Sequence, residues 1–296
     1  MTILVLLGAG ASYGSEPVNG LNTPPLGDKL FGELCKLGGA ASRVPSDIKK
    51  LFGKGFELGM AHFYERHSVL LQEFHRELSY YLSQFTPTNR SYYIKLLELL
   101  RGRDVIYSSL NYDMMLEEAV RMSGTNVVYN LNRRYDAERI IKPHGSINFW
   151  PDISTGMIRG CSFSGGGVAI ETDVKVLDLP TSRKYCLLHD SLSPAISMYA
   201  KGKIVSVCPS YVEYQQNQFS EACRMASVII ILGVRVVAED VHIWDSIRDS
   251  KAEVTYFGSD SDRLDLQKWV TKSKKTNMYF SSGYFEKALA TIPLLI

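Results

Sequence analysis

The stretch LVLLGAGASYG, residues 4–14, decides how the rest of the chain is read. An unbroken apolar run ends in Gly8-Ala9-Gly10-Ala11-Ser12, with Gly14 two residues further on. Continuous apolar residues, rather than alternating ones, suit a strand covered on both faces of a parallel sheet. Glycines directly after such a strand let the backbone turn into a helix and let a phosphate approach without meeting a Cβ. The spacing G-x-G-x-x-x-G is one residue longer than the dinucleotide fingerprint. That fingerprint also needs a second strand ending in Asp or Glu roughly 20 residues on. Here residues 16–25, EPVNGLNTPP, read as a loop. A hydride-transferring dehydrogenase therefore loses ground, and a plain strand-to-helix turn remains the alternative.

Further apolar, β-branched runs at residues 3–7, 105–108, 139–142, 203–207, 228–232 and 253–257 read as buried strands. Helical patterns lie between many of them, at 92–100, 114–122, 214–225 and 238–248. Alternating strands and helices predict a doubly wound, Rossmann-like α/β fold with a parallel sheet, whose ligands sit beyond the carboxyl ends of the strands. Residues 44–86 place Phe63, Leu70, Leu71, Phe74 and Leu78 at helical spacings and predict a small helical subdomain inserted into one domain spanning 1–296. Residues 151–200, with Gly156, Gly160 and the run Gly165-Gly-Gly167, predict an irregular insertion or flap.

Composition narrows the classes. With 33 basic and 31 acidic residues the net charge is +2, which predicts no strong draw toward nucleic acid or membrane. The basic cluster at 272–275 reads as a solvated face. Five widely spaced cysteines contain no C-x-x-C pair, so neither a zinc ribbon nor a redox motif is expected, and the thiols are read as reduced and mostly buried. The opening apolar run is too short for a signal peptide, and no run approaches the roughly 20 residues a membrane span needs. The expected location is the cytoplasm.

Four more segments carry candidate chemistry. Asn111 and Asp113 follow a strand, where Asn can hold a water or a sugar hydroxyl and Asp can stabilise positive charge. Alternatively, one of them only caps the next helix. His144, in Lys142-Pro-His144-Gly145-Ser146, ends another strand, and histidine is the side chain best suited to proton transfer near neutral pH. The remaining histidines, His62, His67, His75, His189 and His242, show no comparable setting. Gly233 and Val234 close the strand at 228–232 and lead toward Asp240 and His242, with a routine turn as the alternative. Gly258 and Ser259 end a further strand, where an adenosine could lie.

Taken in order, Gly-Ala-Gly-Ala-Ser, Asn-Tyr-Asp, His-Gly-Ser and Leu-Gly-Val resemble the sirtuin-like superfamily. More narrowly, they resemble the bacterial sirtuin-like effectors of anti-phage defence, those of Thoeris and short-Argonaute systems. The resemblance runs from Ile3 to about Asp260. It implies NAD⁺ as a substrate, cleaved to nicotinamide and ADP-ribose. By the motif match, Gly8, Ala9, Gly10, Ala11 and Ser12 would line the phosphate and ribose. Asn111 and Asp113 would hold the nicotinamide ribose, its amide or the attacking water, and His144 would be the general base. Gly145, Ser146, Gly233, Val234, Gly258 and Ser259 would approach the nucleotide elsewhere. The chain departs from the deacylases of that superfamily. It lacks their Phe-Arg pair, has Leu110 in place of a glutamine, and lacks the two C-x-x-C pairs that hold zinc, so no zinc is expected. A zinc-free deacylase, an ADP-ribosyl transferase and a non-catalytic NAD- or ADP-ribose-binding subunit remain as alternatives. The resemblance further implies a homo-oligomer or a separate partner, such as a HerA-type ATPase or an Argonaute.

Overall fold

The computed structural model describes residues 1–18, 22–154, 157–164, 167–189, 191–197 and 205–296. Strand β1 (Thr2–Leu7) runs into the short helix α1 (Ala9–Tyr13). Helices α2 (Gly27–Lys36), α3 (Ser46–Phe52), α4 (Phe56–His67) and α5 (Leu71–Leu82) follow without an intervening strand. Then come α6 (Tyr92–Leu99), β2 (Asp104–Ser109), α7 (Met115–Met122), β3 (Asn126–Val128) and β4 (Ala137–Ile141). Four short strands and a helix occupy the next stretch: β5 (Phe149–Pro151), β6 (Gly160–Ser164), β7 (Gly167–Glu171), β8 (Val174–Val176) and α8 (Leu179–Leu188). The chain ends with α9 (Pro209–Met225), β9 (Val228–Leu232), α10 (Val241–Asp249), β10 (Glu253–Gly258), α11 (Asp260–Ser273), β11 (Met278–Ser282) and α12 (Phe285–Thr291).

Seven strands form one sheet in the order β11-β10-β9-β1-β2-β4-β3, with every pairing parallel. Helices cover both faces, as the doubly wound reading requires. The pleat divides each strand between two cores: Ile3, Val5 and Leu7 face one, Leu4 and Leu6 the other. The first core is closed by Tyr93 and Leu96 of α6, Leu116 and Val120 of α7, and Ala288 of α12. The second is closed by Phe219 of α9, Trp244 and Ile247 of α10, and Leu266 and Trp269 of α11. From β1 the chain moves outward to β2 and the edge strand β3, turns back to β4 between them, and then crosses past β1 to β9, β10 and β11. The winding direction therefore reverses between β1 and β9, where such sheets open a crevice at their carboxyl ends.

The helical insertion has its own core, built from Leu30, Leu34, Phe52, Phe63, Phe74 and Leu78. It begins with α2, well before residue 44. The segment 151–200 is less irregular than expected: β6 and β7 form an antiparallel hairpin, β5 pairs antiparallel with β8, and α8 follows. Gly156, Gly165 and Gly166 lie outside the described residues. The strand expected at 203–207 is not found: residues 203 and 204 lie outside the described residues, and Val207 makes only an isolated bridge to Ile170. Lys275 leaves the solvated cluster expected at 272–275, because its ammonium is buried and donates to the Ser250 carbonyl and hydroxyl. Cys186, Cys208 and Cys223 are buried, Cys35 is half-buried and Cys161 exposed, all as free thiols. Among the described residues, no helix is long and apolar enough to cross a membrane.

One core residue makes the fold sensitive to acid. His75 of α5 is buried with no hydrogen-bond partner on either ring nitrogen. Burial pushes its pKa down to about 4, and the neighbouring Arg76 charge adds to the shift. The unfolded chain takes up this proton near pH 6.5, whereas the folded chain refuses it until about pH 4. Stability therefore falls as pH drops through that window, by up to about 3 kcal/mol from this group. His75→Leu keeps the volume and removes the titration. Urea midpoints at pH 7 and pH 4.5 should show a smaller acid loss in the variant, and equal losses would refute this account.

Candidate active site

The site is built around a contact that no side chain makes. At the switch point the Gly8 amide donates to the Leu232 carbonyl at 3.0 Å and the Gly10 amide to the Gly233 carbonyl at 2.9 Å. Gly233 has φ +65°, and a Cβ there would sit 2.1 Å from the Ala11 nitrogen. A Cβ on Gly8 would sit 2.4 Å from the Gly233 carbonyl oxygen and close to Val234. The glycines thus seat the turn after β1 on the turn after β9, and the amides of Gly8 and Gly10 are spent within the protein. The outer side of the turn stays accessible, with Ala9 exposed and Gly10 half-buried.

Ser12 of α1 joins this turn to β2. The Asn111 side-chain amide donates to the Gly8 carbonyl at 2.9 Å and to the Ser12 hydroxyl at 2.8 Å. Ser12 in turn donates to Asp113 Oδ1 at 3.1 Å, and the Tyr93 hydroxyl lies 3.0 Å from Ser12 Oγ. A hydroxyl has one hydrogen and two lone pairs. Its hydrogen goes to the Asp113 carboxylate, so Tyr93 donates, as it can because burial drives its phenol well above the ordinary value. Ser12 is then saturated. Asn111 is oriented unambiguously, because a carbonyl oxygen can only accept; both its hydrogens are committed, and Oδ1 is its remaining polar atom. Asp113 Oδ1 also accepts from the Met115 amide at 3.0 Å, so this residue, one position before the N-cap Met114, holds the first amide of α7 while belonging to the network.

A buried ion pair lies beneath. Lys142, at the end of β4, and Glu117 of α7 are both fully buried, with Nζ 3.1 Å from Oε1. The same ammonium donates to the Asp113 carbonyl at 2.7 Å. Burial pushes the Asp113 carboxyl above its usual range, while Lys142 pulls it back. With Asp113 and Glu117 both ionised, the cluster carries one net negative charge.

His144 is 0% exposed, against 7% for Asn111 and 5% for Asp113. Its Nε2 lies 3.1 Å from His242 Nε2 and 3.9 Å from Asp240 Oδ2. The turn after it packs against residues 195–197. Gly145, at φ +78°, leaves no room for a Cβ, which would sit 2.0 Å from the Ala195 carbonyl oxygen. The Ser146 amide donates to that carbonyl at 3.1 Å, the Ser197 amide donates to the His144 carbonyl at 2.9 Å, and Tyr112 donates to the Ser197 carbonyl at 2.6 Å.

The structure therefore gathers Gly8, Ser12, Asn111 and Asp113 into one hydrogen-bonded group, and sets His144 two residues beyond Lys142, which touches that group. Gly145 and Ser146 serve the turn after β4. Gly233 and Val234 pack on the glycine turn, and the Tyr256 hydroxyl donates to the Val234 carbonyl. Gly258 and Ser259 end β10; Gly258 leaves room for the Tyr256 ring and Asp262, while Ser259 and Asp262 form a capping box on α11. Sequence reasoning missed Tyr93 and Glu117 as site residues, gave Lys142 and Asp240 no role, and dismissed His242. The only signal for the last was its place two residues after Asp240, beyond the Gly233 turn. No family model matches the chain, and no curated protein matches it either. Among the described residues, no group of three or more His, Cys, Asp or Glu could hold a metal ion.

The ion pair makes a testable demand on stability. Lys142→Met leaves Glu117 buried and uncompensated, a change that costs about 3–5 kcal/mol. Adding Glu117→Leu should recover most of that loss, because the apolar pair fits the buried position. Urea unfolding of the two single variants and the double variant measures the coupling, and strictly additive losses would contradict a direct pair.

Proposed function

We propose that the chain is an NAD⁺ glycohydrolase of the sirtuin-like type, which splits NAD⁺ into nicotinamide and ADP-ribose. The observation that carries this reading is Asn111: pinned through both amide hydrogens beside the sheet's switch point, it keeps only an acceptor for a ligand. An acceptor there suits a water or a ribose hydroxyl. Cleavage of the nicotinamide–ribose bond passes through an oxocarbenium-like state, so the enzyme gains most by favouring positive charge and placing water on one face. The Asp113–Glu117–Lys142 cluster, net negative when both carboxylates are ionised, supports the first task. Asn111 Oδ1 and His144 support the second. The water oxygen bonds C1′ as the C1′–N bond breaks, and that electron pair neutralises the pyridinium ring. Asn111 Oδ1 orients one water hydrogen, and the other leaves as the proton that passes to His144.

Two further features support nucleotide chemistry: the crevice position in a doubly wound sheet, and the accessible outer side of the Ala9–Gly10 turn. On the same resemblance, we propose an NAD⁺-depleting role in bacterial anti-phage defence, in a homo-oligomer or with a separate partner.

The test is nicotinamide release from NAD⁺, followed by chromatography. His144→Ala and Asn111→Ala should each lower the rate by at least roughly a hundredfold, the size expected for loss of a positioned acid–base group. Their far-ultraviolet circular dichroism should match the wild type. An acylated peptide should not be required. Wild-type rates in both variants would sink the assignment.

A further inference from the structure

His144 has a partner that the glycohydrolase reading leaves without a task. We infer that His242 is a positioning residue which shares one proton with His144 and passes it between that buried ring and solvent. The inference builds on the reading of His144 as the base.

The geometry argues for a shared proton. The two Nε2 atoms stand 3.1 Å apart, with ring centroids 5.2 Å apart and planes inclined at 59°. Two lone pairs facing each other at that distance repel, and two N–H groups facing each other collide. One hydrogen between the rings satisfies both nitrogens. The pair can then hold one additional proton as imidazolium and imidazole, but not two. Asp240 Oδ2, 3.9 Å from His144 Nε2, supplies the carboxylate that offsets the single positive charge.

The chain's route to solvent argues for transfer. His144 is completely buried, whereas His242 is half-buried on the first turn of α10. Among the described residues, the groups around the pair and its turn come from several elements. Asp240 precedes α10. Tyr112 follows β2, its hydroxyl held by the Ser197 carbonyl, and its phenol is raised by burial and then by the charges of Asp240 and of Glu57 on α4. Gln216 of α9 meets the Pro143 carbonyl and is neutral.

Hydrolysis makes such a route necessary. NAD⁺ and water yield nicotinamide, ADP-ribose and one proton, so His144 must discharge a proton on every turnover. A proton received on His144 Nδ1 drives the hydrogen on Nε2 across to His242, whose Nδ1 hydrogen passes to water; both rings are left as the opposite tautomers, and rotation of the two rings resets the pair.

The experiment uses the full chain, with His242→Gln and Asp240→Asn as variants. Glutamine can still hydrogen-bond His144 but cannot titrate. Nicotinamide release by His242→Gln should show kcat lowered at least tenfold with KM within threefold, and imidazole buffer should restore part of the rate in His242→Ala. Asp240→Asn should move the acid limb of the kcat profile downward by about one pH unit, since a carboxylate that favours the charged pair is gone. A second readout needs no turnover: ¹⁵N-histidine NMR of the wild type, with His144 assigned by its loss in His144→Ala. The two rings should titrate as one coupled pair, and His242→Gln should slow exchange of the His144 ring proton with water at least tenfold. Independent titration of the two rings, or unchanged proton exchange and an unchanged kcat profile in His242→Gln, would overturn the inference. A wild type that releases no nicotinamide but shows the coupled titration and the slowed exchange would refute the glycohydrolase reading while upholding the shared proton.

Discussion

The approach of Gly8 and Gly10 to Gly233 is the constraint on which the rest of the site depends. Hydrogen bonds from Gly8 to Leu232 and from Gly10 to Gly233 extend the β1–β9 association past the last strand residues. They form only because three positions lack a Cβ. A methyl group at Gly8 or Gly233 would collide with backbone, which cannot swing aside as a side chain can. The consequence reaches across the sheet. The Gly8 carbonyl positions the Asn111 amide, Asn111 and Tyr93 position the Ser12 hydroxyl, and Ser12 positions Asp113. Opening the glycine contact by even a fraction of an ångström would lengthen hydrogen bonds that are already fully assigned.

Frame and site also divide by chemistry along the same strands. Within β1 and β9 every residue from Ile3 to Leu7 and from Val228 to Leu232 is buried and apolar. Beyond the carboxyl ends lie the buried polar residues Ser12, Asn111, Asp113, Lys142 and His144, whereas β2 and β4 carry buried Ser108, Ser109 and Arg139 within the sheet itself. A buried ion pair such as Lys142–Glu117 gives little or no stability over well-packed apolar residues of similar volume. Its position beneath Asp113, rather than in the middle of the sheet, fits a group kept to set the charge on that carboxylate.

The strand frame was legible because continuous apolar runs mark burial on both faces, which in this fold means the inner strands β1, β2, β4, β9 and β10. The same signal failed at both sheet edges. β3 has three residues, none buried, and every β11 residue is half-buried or exposed, so neither offers a buried apolar run. It misled at 203–207, where Val207 is buried against Ile170 without joining a strand, because apolar runs report burial and not pairing. At the site, each residue stood out by following a strand, but the partnerships did not. Asn111 meets Gly8 across 103 positions, Ser12 meets Asp113 across 101, and His144 meets His242 across 98. No local spacing encodes such pairs; they follow from sheet order. The pairing of His242 with His144 was invisible for that reason, whereas a tie from Asp113 to the next helix was foreseeable, since a carboxylate ahead of a helix commonly accepts from its first amides.

The two halves of the site differ in what their hydrogens can do. On the side of β1 and β2 every hydrogen is assigned: Ser12 uses its one, Asn111 its two, and Tyr93 its one. That side is a fixed array which presents an acceptor. On the side of β4 and α10, two imidazoles face each other across a gap that holds a single proton, and imidazole is the side chain whose protonation changes near neutral pH. A water molecule attacking a sugar carbon brings two hydrogens with different fates: one must be held still so that the oxygen lone pair points at the carbon, and the other must leave. On the proposed reading, a rigid acceptor together with a ring that can take up and pass on a proton would meet both needs. Either half alone would suit a binding protein, and the proposed hydrolysis rests on the two acting together.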